Sequence, residues 1–132
     1  MPAPSPHVTC LADLVRIESV PNAAEQARAA AATLCGLRQP CNVVPWFWSD
    51  QYDLKLQMVG LSRGHDTVVI RGDMVARAFT AFYLRAGTVI AADAVNRPAD
   101  FMLARKLVTA GARADAALLA DPATELKKLA TA

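Results

Sequence analysis

The 132-residue chain contains no apolar run approaching the roughly 20 residues needed to cross a bilayer. Its start, Met1-Pro2-Ala3-Pro4-Ser5-Pro6-His7, lacks the basic stretch and apolar core of a secretion signal. No membrane partner is expected, and the chain reads as cytoplasmic. Cysteine is scarce: Cys10, Cys35 and Cys41 are odd in number and form no C-x-x-C pair. That spacing excludes a disulfide framework and a zinc site, and fits free thiols in a reducing compartment. His7 and His65 are far apart and lack metal-ligand spacing, so no metal is expected. A net charge of +2 with scattered Lys and Arg residues gives no reason to expect a nucleic-acid partner. The six glycines include no G-x-G pair, which removes both the dinucleotide fingerprint and the P-loop. No serine sits in a nucleophile elbow, and no cysteine has a histidine near it in sequence. Asp50 with Asp53, or Asp73 with Asp93, can be drawn as carboxylate pairs, but isolated carboxylates are usually solvated surface. No catalytic residue is assigned.

What the chain does have is a local excess of aromatics. They make up only 6% of the sequence, yet four fall within Pro45-Trp46-Phe47-Trp48-Ser49-Asp50-Gln51-Tyr52. Such side chains combine large apolar area with a planar π face, and a buried indole N–H usually needs a partner. The cluster can line the pocket of a flat ligand or plug a core. Core packing is the simpler reading for Trp46 and Phe47.

The length suits one domain with a sizeable core, and 54% of residues are hydrophobic, many of them alanine. Residues 1–15 read as irregular. Asn22 is a good N-cap with Glu25 three positions on, which predicts a helix over about 22–35, stopped by Gly36. Pro40 and Pro45 bracket an extended linker. Leu54, Leu56 and Met58 alternate with Lys55, Gln57 and Val59, the period-2 pattern of a half-buried strand. A turn over 60–66 leads into the β-branched run Thr67–Ile70. Two further strands, about 79–85 and 88–92, are joined by a tight reversal at Ala86-Gly87. Short connections favour antiparallel neighbours. A helix is expected from near Asn96, with Pro98 and Asp100 in its first turn and Phe101, Ala104, Leu107 and Val108 on one apolar face. Gly111 ends it, and 115–120 and 122–129 read as short helical turns. The fold class is α+β, an antiparallel sheet of three to five strands with helices packed on one face.

Two long motifs carry a resemblance. Arg16-Ile17-Glu18-Ser19-Val20-Pro21-Asn22-Ala23-Ala24-Glu25-Gln26-Ala27 and Pro45-Trp46-Phe47-Trp48-Ser49-Asp50-Gln51 closely resemble the FAD-dependent NAD(P)H:ferredoxin reductases of the putidaredoxin and rhodocoxin reductase type. Phe82-Tyr83-Leu84 and Asp93-Ala94-Val95-Asn96-Arg97-Pro98-Ala99-Asp100-Phe101 extend the match, which runs from about Pro4 to Leu129. The likeness is to the C-terminal third of that family only. Both dinucleotide fingerprints and the Gly-Asp motif that holds the flavin's ribityl-phosphate arm are missing.

By this resemblance, residues 1–40 are what remains of an FAD-binding domain and residues 41–132 are the reductase C-terminal domain. The family places the Glu18-Ser19 segment and the following helix start beside the flavin, with Val20 and Asn22 supplying backbone groups. A helix N-terminus carries unpaired N–H groups and partial positive charge, which favours negative charge on a reduced flavin. The resemblance also places Trp48, and less directly Trp46, against the flavin or nicotinamide, with Glu18 near the nicotinamide. The implied cofactor-binding residues are therefore Glu18, Ser19, Val20, Trp46 and Trp48, for FAD held only in a complete reductase. The implied partner is an iron–sulfur ferredoxin serving an oxygenase. A separate chain bearing the FAD and NAD domains, or self-association, is also expected. The chain alone is not expected to be catalytic. The alternative reading is a non-catalytic dimerisation or interaction module, or a truncated gene remnant.

Overall fold

A computed structural model describes residues 7–10 and 13–129, with side chains described from Val15 onward. It divides into two compact units, Met1–Phe47 and Trp48–Ala132. In the first unit, β1 (His7–Cys10) pairs antiparallel with β2 (Asp13–Arg16), joining His7 to Arg16 and Cys10 to Asp13. The expectation of irregular chain over 1–15 is corrected there, and residues 1–6 lie outside the described residues.

The helix α1 spans Val20–Leu34. Its N-cap is Ser19, which is in extended conformation and accepts the Asn22 N–H at 3.3 Å. The expected Asn22 cap is thus displaced by three residues. Ser19 followed by Val20-Pro21 is the better start, because proline in the first turn gives up no hydrogen bond the helix would make. Asn22 instead donates its side-chain amide to the Ile17 carbonyl at 2.7 Å, and Glu25 pairs with Arg28 rather than closing a capping box. Gly36, at φ +81°, follows the helix end.

The sheet holds five strands: β3 (Trp46–Gln51), β4 (Leu54–Gly60), β5 (Thr67–Asp73), β6 (Ala78–Arg85) and β7 (Thr88–Val95), in the order β3-β4-β7-β6-β5. The aromatic cluster is itself the edge strand β3, and Phe47 is 39% exposed, not a core plug. Register then sorts every side chain of the other strands to one of two faces. On one face Val59 stands opposite Ala92, Ala92 opposite Phe82, and Phe82 opposite Val69. All four are buried, together with Thr80, Leu84, Val89 and Ala94. Helix α2 (Pro98–Ala110) contributes Phe101, Ala104 and Leu107 to this core, while α3 (Ala116–Ala120) and α4 (Leu126–Leu129) contribute Leu119 and Leu126.

The other face carries Leu56 and Met58 of β4, Ala91, Asp93 and Val95 of β7, Phe79, Ala81 and Tyr83 of β6, and Val68 and Ile70 of β5. Ala81 and Ala91 of this face are also buried. The alternation in β4 is therefore real, but its fully buried member is Val59, not the Leu54–Leu56–Met58 row, which is half-buried.

Two turns depend on left-handed backbone. Ala86 and Gly87, at φ +49° and +79°, form the expected reversal between β6 and β7. Asn96, at φ +51°, exchanges two 2.9 Å hydrogen bonds with Lys55 and donates its side-chain amide to the Arg77 carbonyl at 3.0 Å. One residue thereby ties the start of β4 and the β5–β6 turn to the end of β7.

Candidate functional site

In the first unit the site residues gather at the start of α1. A helix leaves its first N–H groups without intrahelical partners. Here Pro21 has none to offer, and the Asn22 N–H is taken by the Ser19 hydroxyl. The Val20 N–H is left as the donor of that turn, on a residue that is 70% exposed. Ser19 is thus committed to capping through its side chain. Glu18 pairs with Arg16 at 2.9 Å, with both side chains exposed. An ion pair in that setting contributes little to stability, about 0–1 kcal/mol.

Beside this helix start runs a groove of about 220 Å³, open to solvent and lined by Pro21, Asn22, Glu25, Val43, Val44, Pro45 and Trp46. Trp46 is half-buried and forms the wall facing the helix start. Enclosed small-molecule sites usually run from about 300 Å³ upward. The groove is therefore too small to enclose a flavin.

Trp48 belongs to the second unit, two residues further along β3, and is 40% exposed. The strand continues through half-buried Ser49 to a turn at Tyr52-Asp53, where Asp53 pairs with Arg77 at 2.8 Å. Asp73 caps the following turn by accepting the Val75 and Ala76 N–H groups at 2.8 and 3.2 Å.

Sequence reasoning set Asp93 aside as surface, and the fold gives it a different setting. It stands on the central strand β7 between Met58 and Ala81, and accepts the Tyr83 hydroxyl at 2.8 Å. Burial raises the Asp93 carboxyl above the usual carboxylate range, with the Tyr83 hydrogen bond pulling the other way. Burial, followed by the neighbouring carboxylate, pushes Tyr83 up to about 12. The His65 ring meets Tyr83 edge-on, centroids 5.1 Å apart. Ten residues separate Tyr83 from Asp93 across a hairpin, and only the strand register reveals the pair.

The protein family described as "Reductase C-terminal" matches residues 46–130. The chain is 52% identical to the 5,5'-dehydrodivanillate O-demethylase ferredoxin reductase subunit of Sphingobium sp. over 89% of its own length and 29% of that protein. It is 47% identical to putidaredoxin reductase of Pseudomonas putida, over 89% of this chain and 28% of the relative. Among solved structures, the ferredoxin reductase for the CYP199A2 system of Rhodopseudomonas palustris superposes with a TM-score of 0.87 at 44% identity, covering 94% of this chain and 31% of that one. A covalent putidaredoxin reductase–putidaredoxin complex superposes with a TM-score of 0.83 at 45% identity, covering 90% and 28%. The chain thus spans under a third of the length of these relatives.

Proposed function

The chain belongs to the reductase C-terminal family, and on that premise we propose that it is the C-terminal part of a flavin-dependent NAD(P)H:ferredoxin oxidoreductase. The observation that carries this reading is the match over 46–130, joined to relatives named as ferredoxin reductases. Residues 1–40 correspond to the end of an FAD-binding domain and 41–132 to the C-terminal domain. When bound, FAD accepts hydride from the nicotinamide and releases electrons singly to an iron–sulfur ferredoxin. The fingerprints that hold FAD and the nicotinamide lie outside these 132 residues.

The residues present fit one wall of a flavin site. The Val20 N–H and the positive end of the α1 dipole favour negative charge placed against them. Ser19 fixes that helix start through its cap. Trp46 forms one side of the groove beside it, and Trp48 presents an indole that can shield a planar ring from water. Glu18 stands next to the cap, where its carboxylate can accept a hydrogen bond from the nicotinamide amide. The solved reductase–putidaredoxin complex supports a ferredoxin partner. By itself the chain holds no flavin tightly and turns over no substrate.

The test is a titration with FAD followed by tryptophan fluorescence, first of the chain alone and then with the flavin- and nicotinamide-binding portion of the Sphingobium relative. Saturable quenching is expected only in the mixture, and Trp48→Phe should remove most of it. Quenching in the mixture that survives both Trp48→Phe and Trp46→Phe would overturn the flavin-wall assignment.

A further inference from the structure

The groove beside α1 is built mostly of apolar surface. Five of its seven lining residues are apolar, among them Pro21, Pro45 and the half-buried Trp46. The two polar ones are engaged elsewhere. Asn22 donates its side-chain amide to the Ile17 carbonyl at 2.7 Å, and Glu25 pairs with Arg28. An open groove lined by an indole and proline rings suits an extended, uncharged, proline-rich segment, whose rings pack on the aromatic face. The chain carries such a segment. Met1-Pro2-Ala3-Pro4-Ser5-Pro6 directly precedes β1 and has no charged side chain. Each proline fixes its own φ at about −65° and keeps the residue before it out of the helical region. All six positions therefore favour polyproline II.

The fold delivers that segment to the groove. β1 and β2 run antiparallel, and His7 at the start of β1 stands opposite Arg16 at the end of β2. Ile17, the next residue, accepts the hydrogen bond from Asn22, which lines the groove. From His7 to the groove is therefore one strand spacing of about 5 Å, one residue of about 3.8 Å and one hydrogen bond. Six residues of polyproline II extend about 19 Å, enough to cross that gap and lie along residues 43–46.

We propose that residues 1–6 dock in this groove as a strap packed against the Trp46 indole. Attachment selects this occupant over a second copy. So short a tether holds the segment at an effective concentration of about millimolar, which a copy in trans does not match at micromolar protein. The strap covers the groove of the chain without flavin, so it stands apart from the flavin reading.

The test uses the full chain with Trp48→Phe, which leaves Trp46 as its sole indole. Proton NMR reads contacts between proline rings and that indole, and acrylamide quenching reads how far solvent reaches it. The comparison variant adds Pro2→Gly, Pro4→Gly and Pro6→Gly, which keep the length of the segment but remove its rings and its extended bias. These positions precede β1, so the variant is expected to fold, with circular dichroism as the check. The parent should show nuclear Overhauser contacts to Trp46 from the ring of Pro2, Pro4 or Pro6. The variant should lose them and be quenched roughly twofold more strongly. A peptide of residues 1–7, added at millimolar concentration, should restore its protection. A parent without those contacts, or a variant quenched no more than the parent, overturns the strap. Contacts that fade on dilution would assign the groove to the segment of a second copy and overturn docking in cis.

Discussion

Arg71 Nε lies 3.5 Å from Asp100 Oδ2, joining the edge strand β5 to the first turn of α2 across the buried face of the sheet. The same guanidinium donates to the carbonyls of Asp121, Pro122 and Thr124, and more weakly to that of Leu119. Asp100 is also held by Arg97 at 2.9 Å. Arg71 is buried, so its donors have no water to fall back on. The guanidinium fork fastens the segment between α3 and α4 beneath the sheet edge in a way a lysine could not.

Removing that fork should be severe. Arg71→Met is expected to destabilise the chain by about 3 kcal/mol or more, because it leaves a buried carboxylate and several carbonyls short of partners. Arg71→Lys should recover only part of the loss. Urea unfolding followed by circular dichroism measures both, and a shift below about 1 kcal/mol for Arg71→Met would refute the clamp.

A change in the opposite direction is expected at Ala86. Its φ of +49° is left-handed, where a side chain other than Asn or Gly costs about 1–2 kcal/mol. Ala86→Asn should therefore raise the melting temperature, with a gain of about 0.5–1 kcal/mol. A lower melting temperature would mean that the turn relies on something other than backbone freedom.

Asn96 is expected to be sensitive to substitution. Its side chain accepts from Lys55 and donates to Arg77 while its own backbone is left-handed. Asn96→Ala loses both bonds and adds strain, for a cost of about 2–3 kcal/mol in urea unfolding. Asn96→Gly should recover the strain but not the bonds, and fall between.

The Asn96 corner also marks what the sequence could and could not convey. Asp93–Phe101 carries much of the family resemblance, yet in the structure it builds a corner: Asn96 as a tie, Pro98 as a helix start, Asp100 as a salt-bridge anchor. Strands β4, β6 and β7 were legible from alternation and from Ala86-Gly87. The helix start was missed by three residues because Asn22 and Ser19 are both good caps, and only the proline between them decides. Strand β3 was missed because two Trp and a Phe in succession mask any period-2 signal at a sheet edge. The Tyr83–Asp93 pair needed a register across a hairpin with an irregularity at Tyr83/Leu84, which composition cannot supply.

That pair makes stability depend on pH. Burial raises the Asp93 carboxyl above its ordinary 3.8, so folding favours the neutral acid. The stabilisation is complete below about pH 3.8 and is lost as pH rises through the raised value. Asp93→Asn, neutral at every pH, should match wild type near pH 3 and exceed it in melting temperature at pH 7. Wild type gaining on the variant as pH rises would contradict the assignment. In the same variant, the tyrosine that ionises at about 12 should titrate earlier, because a neighbouring negative charge is gone.

The most direct test of the flavin-wall reading is NAD(P)H-dependent reduction of a ferredoxin by two polypeptides mixed in solution. One is this chain, and the other is the flavin- and nicotinamide-binding portion of the Sphingobium relative, shortened by the region matched here. Neither alone should transfer electrons efficiently; the mixture should, with the rate saturating in this chain and falling at least tenfold with Trp48→Phe. A mixture no faster than the shortened relative alone, with both polypeptides folded and bound, would contradict the assignment of this chain as a wall of the flavin site.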